Sequence, residues 1–329
     1  MRTLLLTDKD IRRLLSMKEV IEAVELAFKE KGLGRVQMPP KPYIFYSKYN
    51  GDLRVMPSYL EELEISAVKV VNVHPDNPVK YKLPTVMATI ILVDPKNGAP
   101  IAIMGGTWIT AMRTGAAGGV AAKYLARPDS RVIGIIGAGV QARTQLMALK
   151  EVLEEIEEVR VTDIVKAARE RYAREMGEKL GLDVKAVDNA KKAVEGADIV
   201  VTVTPSREPI VKSEWIRPGV HINAIGADAP GKEELDPELL KRAKIVVDDL
   251  EQASHSGEIN VPLAKGIITK EDIWAELGDV VAGLKPGRTS PDDITIFDST
   301  GLAIQDAVTA ALAYKKALEK GIGQFIEIV

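Results

Sequence analysis

One apolar run that ends in a glycine turn limits this chain more than any other feature. Residues Arg131-Val-Ile-Gly-Ile-Ile-Gly-Ala-Gly-Val-Gln-Ala142 read as a buried strand that enters Gly137-Ala-Gly139-Val-Gln-Ala142, a G-x-G-x-x-A turn, and then a helix. Gly137 permits the tight turn, Gly139 lets backbone approach a pyrophosphate, and Ala142 lets helix and strand pack closely. Free N–H groups and the dipole at the helix N-terminus favour the phosphate charge. A glycine triplet alone is weak evidence. Here a strand precedes it and a helix is expected from Val140 to Glu157.

The following strand supplies a second test. Glu158-Val-Arg-Val-Thr-Asp163 ends on a carboxylate 26 positions after Gly137, where ~20 is usual, because the helix between is long. Asp163 there accepts from an adenosine ribose 2′-OH and repels a 2′-phosphate, which favours NAD over NADP. The bland alternative is a polar strand end. Lys166 nearby is a cation that accommodates a 2′-phosphate.

Composition narrows the class. A net charge of −3 over 329 residues, with no basic tract, gives no reason to expect nucleic acid. Every apolar run is cut by charge, Gly or Pro before membrane-spanning length. Met1-Arg-Thr-Leu-Leu-Leu-Thr-Asp8 turns acidic too soon for a signal peptide, so the cytoplasm is expected. With no Cys there are no disulfides or thiolate nucleophiles, and with three His no histidine metal cluster is expected.

Strands and helices alternate through the middle of the chain. Further strands are expected at Leu182–Asp188, Ala197–Thr204, Gly219–Gly226, Ala243–Asp248 and Ile294–Phe297, with helices at Val165–Leu180 and Asp236–Arg242. Apolar strands alternating with helices indicate a parallel sheet covered on both faces, so the fold class is α/β with a doubly wound domain over residues 122–300. The first part reads differently. A helix capped by Thr7 and another over Met17–Lys31, with an apolar stripe at Val20, Ile21, Val24 and Phe28, precede strand-like segments. These are Pro42–Ser47, Asp52–Pro57, Ser66–Val73, Thr85–Val93 and Ile101–Met104, punctuated as antiparallel hairpins. The last helix, Gly301–Lys320, is expected to return to this β-rich domain. That makes it discontinuous, residues 1–121 plus 301–329, with a substrate cleft expected between the domains.

Several charged residues could carry chemistry. Lys69 lies within the apolar strand Ala67-Val-Lys-Val-Val-Asn-Val73; it either faces solvent on an edge strand or serves a cleft as a carboxylate ligand or acid/base. Arg54 is similarly ambiguous. Arg113 is expected at the start of a small-residue helix, where its fork suits a carboxylate or pyrophosphate. Asp228 follows a strand's carboxyl end and is either an active-site group or a turn former. His74 reads as a loop residue, His221 as a satisfied core residue and His255 as a surface loop residue. Asp248-Asp-Leu-Glu251 reads as helix capping rather than a metal site.

The chain resembles the ornithine cyclodeaminase/mu-crystallin family, most closely its archaeal alanine dehydrogenase branch. The resemblance rests on Gly51-Asp-Leu-Arg-Val-Met-Pro57, Leu83-Pro-Thr-Val-Met87, Arg113-Thr-Gly-Ala-Ala117, Ala122-Lys-Tyr-Leu-Ala126, the glycine turn, Ile222-Asn-Ala-Ile-Gly-Ala-Asp228, Asp248-Asp-Leu-Glu-Gln-Ala253, Gly257-Glu-Ile-Asn260 and Phe297-Asp-Ser-Thr-Gly-Leu-Ala-Ile-Gln-Asp306. It implies a homodimer formed through the β-rich domains, with NAD in the doubly wound Rossmann domain. It implies Lys69 as catalytic acid/base and Asp228 as the second catalytic group. Lys41, Arg54, Lys69 and Arg113 are then expected at the substrate. Thr85, Arg113, Gly137, Gly139, Val140, Gln141, Asp163, Thr204, Asn223, Ala224, Lys232 and Ser299 are expected at the cofactor. Cyclodeaminases resembling this chain carry an acidic residue where Arg54 stands, and the reversed charge disfavours ornithine. The activity implied is NAD-dependent L-alanine dehydrogenation. The alternatives are ornithine cyclodeamination, reduction of cyclic ketimines or pyrroline-2-carboxylate, and, outside enzymes, a mu-crystallin-like small-ligand binder.

Overall fold

The computed structural model describes residues 2–328. The chain divides into two compact units, Met1–Arg113 with Leu302–Val329, and Thr114–Gly301.

The first unit is built on a mixed sheet. Its strands are β1 (Arg2–Leu6), β2 (Val36–Gln37), β3 (Tyr43–Tyr46), β4 (Gly51–Leu60), β5 (Ile65–Val73), β6 (Val86–Val93) and β7 (Pro100–Gly105), with a terminal strand Gln324–Glu327. From β4 to β7 they form an antiparallel meander, as the punctuation predicts. β1 was not foreseen: it pairs parallel with β7 and antiparallel with the terminal strand, which also escaped the sequence pattern. Neither is long or regularly alternating, and each is defined by partners distant in sequence.

Alternation puts Arg54, Met56, Ser58 and Leu60 of β4 on one buried face, with Ala67, Lys69 and Val71 of β5 and Ile90 and Leu92 of β6. Helix Ala303–Lys320 packs on these three strands, and helix Met17–Gly32 packs on that helix. The predicted stripe Val20, Ile21, Val24 and Phe28 is buried there. Thr7 caps helix Asp8–Leu14 in a reciprocal capping box with Asp10. The Asp8 carboxylate accepts the Trp108 N–H at 2.7 Å and so anchors the start of helix Thr107–Leu125.

The second unit is a parallel sheet of eight strands: β8 (Val132–Ile136), β9 (Glu158–Thr162), β10 (Val184–Ala186), β11 (Ile199–Thr202), β12 (His221–Ala224), β13 (Ala243–Val247), β14 (Ile273–Glu276) and β15 (Ile294–Asp298). Their order is β10-β9-β8-β11-β12-β15-β13-β14. All seven expected strands are present; β14, four residues long, was missed. One face packs Ile133, Ile135, Val159 and Val201 against Ala142, Leu146, Tyr172 and Met176. The other packs Val200, Ile222, Ile245 and Ile296 against Leu235, Leu239 and Leu240. Burial on both faces is what the unbroken apolar strands foretell. One helix is shorter than expected. It runs Val140–Val152 rather than to Glu157. Glu154, Glu155 and Glu157 would add negative charge at the negative end of the dipole, and the Glu157 N–H instead bonds the Arg131 carbonyl at 2.9 Å.

The Gly and Ala of helix Thr107–Leu125 allow very close packing within this unit. A methyl added at Gly115 would lie 2.5 Å from the Thr144 carbonyl oxygen, a backbone atom that cannot rotate away. Gly115→Ala is therefore expected to destabilise the chain by about 1–3 kcal/mol through overpacking. A thermal melt unchanged from wild type would refute this close contact.

Candidate functional site

The glycine turn takes the expected form. Gly137 has φ +101°, left-handed backbone that a side chain resists, and a Cβ there would meet the Val203 carbonyl oxygen at 2.9 Å. Gly139 is the N-cap of helix Val140–Val152 and gives it no side-chain cap, so the first N–H groups stay available to a ligand. A Cβ on Gly139 would meet nothing within 4 Å, so the space before this N-terminus is open. Val140 is exposed and Gln141 half-buried at its rim. Asp163, just past β9, accepts the Ala138 N–H at 2.9 Å with one oxygen and the Val165 N–H at 2.8 Å with the other. It thus shapes the turn itself, and each oxygen keeps a lone pair for a hydroxyl. Ile164 beside it is fully exposed.

Other residues at the carboxyl ends of the strands are also held. Thr204 gives both its N–H and its hydroxyl to Glu234, each at 2.7 Å. Ser299 is buried and its N–H bonds the Ala224 carbonyl at 3.0 Å. Asp228 follows β12 and pairs with Lys232 at 2.6 Å. Asn223 and Ala224, by contrast, are 0% exposed. The Asn223 side chain is spent on His221, Gly118 and Gln145, so it serves the packing of β12 rather than an open surface. His221 is the satisfied core residue expected: it also bonds Thr295, and burial lowers its pKa to about 3. Asp249 caps helix Leu250–Ser256, as expected of the acidic run, and His255 is exposed on that helix rather than in a loop. Asp248 accepts the N–H groups of Thr300 and Gly301, both at 2.7 Å.

Lys69, Arg113, Lys41, Arg54 and Thr85 belong to the first unit. Lys69 is not on an edge strand. β5 lies between β4 and β6, and the Lys69 side chain is fully buried. Its ammonium lies 2.5 Å from one oxygen of Asp306. The other oxygen accepts Arg113 Nε at 2.9 Å, while Arg113 Nη1 bonds Gln305 at 3.0 Å. Arg113 does not begin its helix; it is the seventh residue of Thr107–Leu125, because Asp8 anchors the start one and a half turns earlier. Burial is the main cause that lowers the Lys69 pKa, to about 7; the Arg113 charge adds to it, Asp306 opposes it, and Lys41 lowers it further. Lys41, Lys69 and Arg113 therefore share one electrostatic neighbourhood.

Arg54 lies on the same sheet face, where Asp52 holds it by two contacts of 3.0 Å and the Tyr43 ring lies 5.0 Å away. The carboxylate makes Arg54 a charge-balanced pair rather than an isolated cation. Thr85 accepts the His74 N–H through its carbonyl just before β6.

Asp306 and Gln305 were missed as site residues. Their partners are nearly 200 positions away or more, and in sequence they look like the polar start of a helix. Since Asp306 raises the Lys69 pKa, Asp306→Asn is expected to lower it below the wild-type value of about 7. An NMR titration of 15Nζ-lysine follows this directly. An unshifted Lys69 resonance, or one titrating near free lysine, would contradict the coupling.

The comparisons with known proteins identify the family. The model of the ornithine cyclodeaminase/mu-crystallin family matches residues 1–321. The alanine dehydrogenase of Archaeoglobus fulgidus is 52% identical over 99% of both chains. A solved archaeal alanine dehydrogenase dimer with bound NAD superposes with a TM-score of 0.95 over all of both chains, at 52% identity. The Delta(1)-pyrroline-2-carboxylate reductase of Thermococcus litoralis, solved with NADH and L-proline, has a TM-score of 0.95 at 51% identity, covering 98% of this chain and all of that one. With the family matched over nearly its whole length, the chain belongs to the ornithine cyclodeaminase/mu-crystallin family.

Proposed function

We propose that this chain is an NAD-dependent L-alanine dehydrogenase, interconverting L-alanine with pyruvate and ammonia. It is an oxidoreductase of amino-acid-like substrates and its cofactor is NAD. The choice of alanine is carried by the 52% identity to the Archaeoglobus enzyme over 99% of both chains.

The residues fit the cofactor. The open space at Gly139 and the uncapped helix N-terminus would hold the pyrophosphate, and Asp163 would accept from the ribose. Val140, Gln141, Thr204, Lys232 and Ser299 lie at the same ends of the strands, and Thr85 and Arg113 are further cofactor contacts proposed by similarity. Asn223 and Ala224 support this surface from beneath. NAD, when bound, supplies the acceptor for the hydride that leaves Cα of alanine.

The chain's own groups do the rest. Arg113 and Lys41 attract the substrate carboxylate. With a pKa of about 7, Lys69 exists in both protonation states near neutrality, so it can take a proton and return it. Water adds to the imine carbon, and the C–N bond then breaks. Lys69 and Asp228 carry the water's protons to the departing ammonia. Removing either group is expected to lower kcat by on the order of 10² or more.

A second reading has its own support. The Thermococcus reductase is as similar as the alanine dehydrogenases, and the Arg54–Asp52 pair is close to neutral, which weakens any bias from a lone cation. In that reading the imine is a ring and no water adds; Lys69 protonates the imine nitrogen. NADH oxidation separates the two. Pyruvate with ammonia is expected to turn over faster than pyrroline-2-carboxylate, and Lys69→Ala to abolish most of that rate. Faster turnover of pyrroline-2-carboxylate would make the reductase the better reading. Faster conversion of ornithine to proline would select the cyclodeaminase.

Two further expectations belong to this function. NADH should be preferred over NADPH, with Asp163→Ser relaxing the preference; equal kcat/KM for both cofactors in the wild type would remove Asp163 from the ribose. We also propose a cytoplasmic C2 dimer formed through the first unit, which leaves Ile44 and Phe45 of β3 and Tyr49 just after it exposed. Light scattering that finds only monomer at micromolar concentration would exclude the dimer.

A further inference from the structure

The stretch that carries Asp228 has almost no regular structure, yet it is tied down at several points. Between β12 and Leu235 the chain makes only turns and bends. A segment of this kind is normally among the most mobile in a fold. Here the Gly226 N–H is held by Glu234 Oε2 at 3.0 Å, and the other oxygen of that carboxylate holds Thr204. The Gly231 N–H is held by Asn260 Oδ1 at 3.0 Å, and Asn260 Nδ2 donates to the Lys232 carbonyl at 2.9 Å. Glu258 Oε1 in turn accepts the N–H groups of Glu234 and Leu235, at 2.8 and 2.6 Å. Asp298, the last residue of β15, accepts those of Glu258 and Ile259, at 2.8 and 3.1 Å. The restraints therefore run in an unbroken series from a central strand to the two sides of Asp228. Glu234, Glu258 and Asp298 are all buried, where carboxylates persist only when hydrogen-bonded.

We infer that Asn260 and Glu234 are positioning residues that fix the loop Gly226–Lys232, and with it the Asp228–Lys232 pair, for catalysis. The inference rests on the proposed catalytic role of Asp228. Asn260 grips the loop just after Asp228 and Glu234 grips it just before, so losing either lets the carboxylate wander. A displacement of about 1 Å at a reacting group is enough to cost as much as 10²-fold in rate.

A double-mutant cycle tests this, because a residue acting only through Asp228 has nothing left to do once Asp228 is gone. Asn260→Ala is expected to lower kcat about tenfold or more, leaving NADH affinity within about twofold, on the same positional grounds. In an Asp228→Ala background the same change should lower the residual rate by less than about twofold. Glu234→Gln provides an independent second cycle if Asn260→Ala does not fold: its amide must face the N–H of either Thr204 or Gly226, so NADH affinity is free to fall through Thr204, but its effect on kcat should vanish in the Asp228→Ala background in the same way. Wild-type kcat in both variants, or equal losses with and without Asp228, would overturn the inference alone. Near-normal turnover by Asp228→Ala would instead remove the catalytic assignment of Asp228, and the positioning role with it.

Discussion

One buried carboxylate sets the electrostatics of the first unit. Asp306 faces two buried cations, Lys69 and Arg113, and can neutralise only one of them. Guanidinium keeps its proton under all ordinary conditions, whereas an ammonium yields its proton when water is withheld. Burial, with the Arg113 charge adding to it, therefore makes the lysine the group that gives way, and its pKa falls to about 7 although Asp306 opposes the shift. This depends on packing as much as on charge. Helix Ala303–Lys320 must lie on β4 to β6 for its first turn to deliver Asp306 beside Lys69. Leaving either cation unpaired in the interior would cost about 3–5 kcal/mol, so the pairings also hold that helix against the sheet and against the first turns of Thr107–Leu125.

The second unit uses buried carboxylates differently. Asp248, Asp298, Glu258 and Glu234 accept mostly backbone N–H groups rather than facing cations. Burial pushes the Asp298 pKa up to about 8 and that of Glu258 well above the ordinary range, aided for Glu258 by the neighbouring Glu234. Each carboxylate crosslinks segments far apart in sequence, so the loops at the strand ends do not depend on local turn chemistry. The glycine turn follows the same pattern, with Asp163 holding the Ala138 N–H beneath it.

What could be read from the sequence was what is encoded locally. The turn at Gly137 and Gly139, the seven apolar strands and the stripe Val20-Ile21-Val24-Phe28 each occupy one window and carry their own periodicity. Asp249 was legible as a cap because capping is decided within three residues. What was hidden needs contacts across the chain. β1 and β14 are short and are strands only because β7 and β13 lie beside them. Glu234, Glu258 and Asn260 look like solvated loop residues until the fold buries them. Lys69 was undecided because an apolar strand with one lysine fits an edge or a centre equally well, and strand order is not a local property. Asn223, which similarity places among cofactor contacts, has its side chain committed by the fold to His221, Gly118 and Gln145, which no local pattern announces.

The hardest part to read was substrate charge, and Arg54 shows why. Taken singly, an arginine where cyclodeaminases resembling this chain carry an acid is a two-charge change that should repel a second amine. Asp52 stands two residues earlier on the same strand face and meets the guanidinium with both oxygens, at 3.0 Å each. The field a substrate senses is that of the pair, mainly a dipole, which decays faster with distance than that of a lone charge. Discrimination against ornithine by simple repulsion is correspondingly weaker than the residue type suggests. The pair still differs from a lone carboxylate, because it has no unmet demand for an ammonium. On the proposed placement, a diamine would bring its second amine to a guanidinium already paired with Asp52 and would lose hydration there. Alanine and a cyclic imino acid bring no such group, so on the proposed placement of Arg54 at the substrate this position would favour both over ornithine without separating one from the other.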